Sequence, residues 1–236
     1  MKKKQKNFSA EPPVPGSHYM AVSEELIRTH FPNPTTDLLL ELNDEEKIAI
    51  IEQHFREIMK TLGLDLSDES IAHTPHRVAK MYVKEVFSGL QPKNFPAISI
   101  VNDQEMAHRR SSMVFVSVSF ISFCEHHFVP MQGKAFVAYK PAGKLIGLSK
   151  VSRIVRYYAQ RPQLQERLTA QIADCLMHLM DIEDVAVSMT ATHFCVHARG
   201  VHDQESKTTT NNLRGAFEKD VELRREFFEA VTNSWR

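Results

Sequence analysis

Residues 185–199 read VAVSMTATHFCVHAR, and the stretch predicts a long strand. Side chains of equal parity on a strand share one face. The odd face is then Val185, Val187, Met189, Ala191, His193, Cys195, His197 and Arg199. It is apolar for four positions and abruptly becomes a face of metal ligands and a cation. The other face stays small or apolar through Phe194, Val196 and Ala198. A strand leaving the core for solvent explains polar residues there, but not why they are His, Cys, His and Arg.

The elements around this strand set the fold class. Upstream, Ser149 to Ala159 and Pro162 to about Met180 read as two helices, broken at Gln160-Arg161-Pro162. Before them lie strand-like runs: Ala97 to Val101, Met113 to Phe123 with Val114, Val116 and Val118 on one face, and Lys134 to Tyr139 between Gly133 and Pro141. Earlier still, Ile48, Ile51, Phe55, Ile58, Met59 and Leu62 recur at helical spacing, with Asn43 or Asp44 as cap and Gly63 as stop. A second helix opens at Thr74-Pro75, where proline suits the first helical position, and runs toward Gly89. Asp220 to Thr232 reads as a final helix. This order predicts an α+β fold with a mainly antiparallel sheet. We expect residues 1–42 to form an N-terminal arm, disordered over its first 18 or so residues, with at most a short helix at Ser23 to His30. A helical N-terminal segment at 43–90 and the main domain at 91–236 follow.

Composition narrows the function classes. The 236 residues are 42% hydrophobic, enough for a sizeable core, and Lys plus Arg balance Asp plus Glu at 29 each. No global field draws the chain to nucleic acid or membrane, so any anion must be held by a local cluster. Three cysteines are too few for a disulfide framework and suit a reducing cytoplasm. The basic start MKKKQKN is followed by no apolar run, so neither a signal peptide nor a membrane span is expected.

Cys124-Glu125-His126-His127 is the first site candidate, since Cys and His three apart can reach one metal from a turn. Cys124, His127 and Cys195 together would give zinc two thiolates and one imidazole and leave a fourth position open. That is the arrangement of a catalytic rather than a structural site. Water there can ionise near neutral pH, with His126 and His193 close by to donate and accept protons. A fourth protein ligand from His193 or His197 would instead close the site. In Gly147-Leu148-Ser149-Lys150-Val151-Ser152-Arg153, Ser149 is the expected N-cap, and Lys150 and Arg153 lie three apart. With Arg199 they suit a polyanion at a helix start. Gln165-Glu166 falls in a first helical turn, where a carboxylate favours the helix dipole or accepts hydrogen bonds from the N–H edge of a base. Cys175 reads as a core thiol.

In chain order, TPHRVAKMY, SFCEHHFVP, GKAFVAYKP, GLSKVSRIV, AQRPQLQERLTAQIA and ATHFCVHARGV resemble GTP cyclohydrolase I, with family-like separations from about residue 44 to 232. The first forty residues lie outside the resemblance. It implies a tunnelling (T-) fold, an antiparallel sheet with helices on one side, preceded by a helical segment. It also implies a homodecamer of two pentamers with active sites between subunits. Carried over by motif, Cys124, His127 and Cys195 would bind Zn2+, and His126 and His193 would move protons. Glu125 would orient a neighbouring histidine. Glu166, with Gln165 beside it, would recognise guanine. Lys150, Arg153 and Arg199 would hold the triphosphate, with Arg77 from a neighbouring subunit, and Ser149 would contact the ribose or phosphates.

The implied reaction is attack of zinc-activated water at C8 of GTP, ring opening, loss of formate, Amadori rearrangement and closure to 7,8-dihydroneopterin triphosphate. This is the first step toward tetrahydrofolate or tetrahydrobiopterin. Lys207 and Asn211-Asn212 sit in QESKTTTNNLRGAF, read as a loop, where the resemblance leads us to expect small and hydroxyl residues. Two rivals fit less well. A T-fold nitrile reductase uses cysteine as a nucleophile rather than a metal ligand, and a zinc-holding or pterin-binding regulator would not need both histidines and every phosphate cation.

Overall fold

A computed structural model describes residues 17–20, 22–102 and 113–235. The expected disordered arm lies, up to residue 16, outside the described residues. Ser17–Met20 (β1) pairs antiparallel with Ile98–Asn102 (β2), which in turn pairs with Lys144–Ile146 (β5), forming a small three-stranded sheet. Glu24–His30 (α1) starts at Ser23, whose side chain accepts from the Leu26 N–H, as the short-helix reading expects. Ile27 and Phe31 are buried in the main core, and the Phe31 ring meets those of Tyr158 and His178. The segment around α1 is therefore part of the packed body.

After the single turn Leu38–Glu41 (α2), the long helix Asp44–Thr61 (α3) opens on a reciprocal capping box between Asn43 and Glu46. Beyond it, Gly63 takes the left-handed backbone (φ 80°) that the helix stop requires. Thr74–Met81 (α4) has Pro75 in its first turn and widens into a π-helical turn at Tyr82–Val86. Lys84 in that turn reaches back to Asp44 and Glu45, at 2.9 and 3.1 Å, and pins it to the start of α3.

The second sheet has five strands in the order β6-β3-β4-β7-β8: Pro162–Gln163, Val114–Cys124, Pro130–Tyr139, Val185–His193 and Thr208–Leu213. All its pairings are antiparallel except the short β3–β6 contact, where Phe123 faces Pro162 and Cys124 faces Gln163. Leu148–Ala159 (α5) and Gln165–Met180 (α6) cover one face. Val151, Ile154, Leu168, Ile172 and Leu176 interlock there with Val118, Ala135, Val137, Val187 and Met189. Burial of this apolar surface is the main force holding the layers. Ala216–Lys219 (α8) and Val221–Asn233 (α9) cover one end of the opposite face, with Phe217 and Phe227 against Phe136, Ala138 and Ala186. The α+β fold, its sheet and its helical N-terminal segment match the tunnelling-fold expectation.

Four element readings are corrected. The strand at Val185 stops at His193, and Phe194–His197 form a helical turn (α7), so Cys195, His197 and Arg199 do not continue the odd strand face. The helix expected from Pro162 begins at Gln165, because Pro162 and Gln163 pair with β3 instead. β4 begins at Pro130 rather than after Gly133. There Gly133 lets β7 pass so close that a Cβ would sit 2.0 Å from the Thr190 carbonyl oxygen. The supposed loop with Lys207, Asn211 and Asn212 is mostly an edge strand, β8.

Candidate active site

The site gathers where β3 and β7 end and β4, α6 and α7 begin. Cys124 is the last residue of β3 and is buried. The chain then turns sharply. The Phe128 N–H bonds to the Cys124 carbonyl at 2.9 Å, the Cys124 N–H bonds to the Val129 carbonyl at 2.9 Å, and Phe128 adopts φ 54°. The turn also bonds to β6, through the Glu125 N–H and the Gln163 carbonyl at 3.1 Å. It holds Glu125, His126 and His127 beside the end of β7, where His193 pairs with Met131 of β4.

Cys124, His127 and Cys195 each offer one ligand atom, and these atoms lie within 4.8 Å of one another. Cys124 Sγ and His127 Nδ1 are 3.9 Å apart. Zinc bonds of about 2.0–2.3 Å at tetrahedral angles place ligand atoms about 3.3–3.8 Å apart, so small side-chain shifts close the set. Two thiols and an imidazole are also the donor chemistry zinc prefers. No fourth such donor joins the group among the described residues. The ring nitrogen Nδ1 of His197 is buried without a partner, outside the group. Burial pushes the Cys195 thiol up, and the neighbouring Cys124 adds to the rise.

The other site residues differ in how closely they join this group. Arg199 does join it, its Nη1 donating to His127 Nε2 at 2.6 Å. His193 Nε2 lies 2.7 Å from Gln165 Oε1. Burial lowers the His193 pKa, and the Glu166 charge opposes that shift. Glu166 is exposed in the first turn of α6, as expected, whereas Gln165 beside it is only 1% exposed. His126 is exposed, its ring 6.3 Å from that of His127. The Glu125 carboxylate is taken up by Arg167 of α6 through both guanidinium nitrogens, and no bond to a histidine accompanies it among the described residues.

Ser149, Lys150 and Arg153 all lie on α5, but the N-cap is Gly147 rather than Ser149. Lys150 is buried while Ser149 and Arg153 are exposed. None of the three bonds to the metal-ligand group among the described residues, and neither does Arg77, which stands exposed on α4.

Sequence reasoning missed Arg167 and the Thr169–Thr210 pair, whose hydroxyls meet at 2.6 Å beside Gln165. Arg167 follows Gln165-Glu166 directly, and the run Thr208-Thr209-Thr210 had the β-branched texture of a strand. Of the departures, Lys207 sits 6.0 Å from the Trp235 ring and Asn212 has a buried Oδ1 without a partner.

Comparison with known proteins bears on this geometry. The family model described as GTP cyclohydrolase I matches residues 51–232. Among curated relatives, GTP cyclohydrolase 1 of Photobacterium profundum is 53% identical over 188 residues, covering 79% of this chain and 85% of the relative. The Aeromonas salmonicida protein of the same name is 52% identical over 187 residues, 79% and 84% of the two chains. That of Citrobacter koseri is 47% identical over 211 residues, 89% and 94%.

Proposed function

The chain belongs to the GTP cyclohydrolase I family and is a hydrolase of that type, and from that premise we propose that it converts GTP and water to 7,8-dihydroneopterin triphosphate and formate. The observation that carries the proposal is the open Cys124–His127–Cys195 set with His193 beside it on adjoining elements.

Cys124, His127 and Cys195 would hold Zn2+. Bound there, the ion supplies a Lewis acid at which water ionises near neutral pH. Arg199, whose Nη1 stands at His127 Nε2, would take the substrate phosphates, joined by Lys150 and Arg153 and by Arg77 of a neighbouring copy. Glu166, exposed at the start of α6, accepts from the N–H edge of guanine, and Ser149 meets the ribose or phosphates. His126 and His193 carry protons while water adds at C8, the imidazole ring opens and formate leaves. The same pair serves the ribose opening and Amadori rearrangement before the ring closes. Glu125, held by Arg167, fixes the turn that aims His126 and His127.

The open sheet edges support a homo-oligomer, a decamer of two pentamers with sites between subunits. β6 pairs only with Phe123 and Cys124, so most of β3 has no partner on that side among the described residues, and β8 is the opposite edge. Unpaired edges of this length call for cover. No helix among the described residues is long and apolar enough to cross a membrane. We place the enzyme in the cytoplasm, feeding tetrahydrofolate or tetrahydrobiopterin synthesis.

GTP carrying carbon-13 at C8 tests the reading. The label should leave as formate, and His193→Ala should slow its release by about 100-fold or more, the scale of a lost proton-transfer group. Retention of the label in a purine product would refute it.

A further inference from the structure

We infer that Gln165 is a positioning residue rather than a guanine contact, and that its amide holds His193 in the Nε2–H form, so that Nδ1 is the nitrogen that exchanges protons with substrate. The inference deepens the proposed function and rests on its assignment of His193 to proton transfer.

Gln165 Nε2 lies 3.0 Å from the Met189 carbonyl oxygen, 3.0 Å from the Thr208 carbonyl oxygen and 3.1 Å from Thr210 Oγ1. Two of these partners are backbone carbonyls, which can only accept. The nitrogen end of the amide must therefore face them, since the reverse orientation would set oxygen against oxygen.

The hydroxyls agree. Thr169 Oγ1 spends its one proton on the Gln165 carbonyl at 2.7 Å, so in the 2.6 Å contact between the two threonines Thr210 is the donor. Thr210 then has only lone pairs left for Gln165, so the two amide hydrogens are shared among three acceptors. The oxygen end, Oε1, is thereby fixed 2.7 Å from His193 Nε2. An amide oxygen only accepts, so Nε2 must carry the hydrogen, and in the neutral ring Nδ1 is left with the lone pair. Nδ1 has no hydrogen-bond partner among the described residues.

The amide is thus fully committed inside the protein. With Gln165 only 1% exposed, its side chain has neither a spare donor nor a route to a bound base. It also joins β7 and β8 to the start of α6, so His193 is aimed by three elements at once.

The test uses the full-length, zinc-loaded protein. Gln165→Met keeps the side-chain length and removes both ends of the amide. It should lower kcat about 10- to 100-fold while KM for GTP stays within about twofold. Gln165→Met/His193→Ala should be no slower than His193→Ala, the non-additivity of two residues acting as one.

Raman difference spectra of wild type against His193→Ala read the tautomer without turnover, and should show the Nε2–H imidazole band. In the Gln165→Met background that band should give way to a mixture. A rise in KM at unchanged kcat, additive losses in the double variant, or an Nδ1–H band in wild type would each overturn the inference. Failure of wild type to release formate from GTP would sink the functional reading instead, and the Raman result would still decide the tautomer.

Discussion

At the residue scale, the three cysteines divide cleanly by environment. Burial pushes the Cys175 thiol up to about 12, which makes it the core thiol the sequence suggested, with negligible thiolate near neutral pH. Cys195 is only partly buried and belongs to the metal-ligand group. Native alkylation of the metal-free protein should therefore modify Cys195 and leave Cys175 untouched, with zinc protecting Cys195; peptide mass mapping reads both. Cys195→Ser should lose the metal and turnover together, so full activity in a metal-free Cys195→Ser protein would remove zinc from the account. Glu166→Ala should cut the preference for GTP over ATP by about 10- to 100-fold, the worth of charged hydrogen bonds of about 1.5–3 kcal/mol. Among the site residues, that Cys124, His127 and Cys195 would meet was legible from their types and spacing. Their proton bookkeeping was not, because the partners of Gln165 come from β7 and β8, and Arg167 finds Glu125 only after folding.

At the element scale, the errors share a cause. The strand pattern through Arg199 was sound to His193, but alternation alone cannot show where a backbone leaves its ladder. Once past the pairing with Met131, the chain coils into a helical turn that brings Cys195 to Cys124. Likewise Pro162 looked like a helix start, but the end of β3 claims it for the sheet. Gly133 tests the account of β4 and β7. Gly133→Ala would drive a methyl into the Thr190 carbonyl and should destabilise the protein by about 1–3 kcal/mol, read as a lowered denaturation midpoint. The tie between α3 and the π-helical turn after α4 makes a pH prediction. The Lys84 ammonium, hydrogen-bonded to Asp44, holds that carboxyl below its ordinary 3.8. A lowered carboxyl pKa stabilises fully above the unfolded value and loses that effect as pH falls through the folded value. The stability gap between wild type and Asp44→Asn, at most about 1 kcal/mol for a pair this open to solvent, should be constant from pH 5 to 8 and shrink as pH falls below 3.8.

At the scale of the whole molecule, the α+β class and the helix-covered sheet were legible because apolar periodicity records which faces are buried. The sheet's second face was not, since it is shared between an apolar end under α9 and a polar remainder. The side of β3 left unpaired among the described residues and the edge strand β8 fit a larger assembly. Light scattering should give about ten chain masses, and a monomer would contradict the proposed intersubunit site. The central claim, that the Cys124–His127–Cys195 set and its histidines carry GTP through both hydrolysis and rearrangement, is tested most directly by the yields of formate and pterin from GTP. The account predicts equal amounts of both, loss of both on chelation and return of both with zinc. Formate without pterin would contradict the rearrangement, and undiminished turnover in the metal-free protein would contradict the site itself.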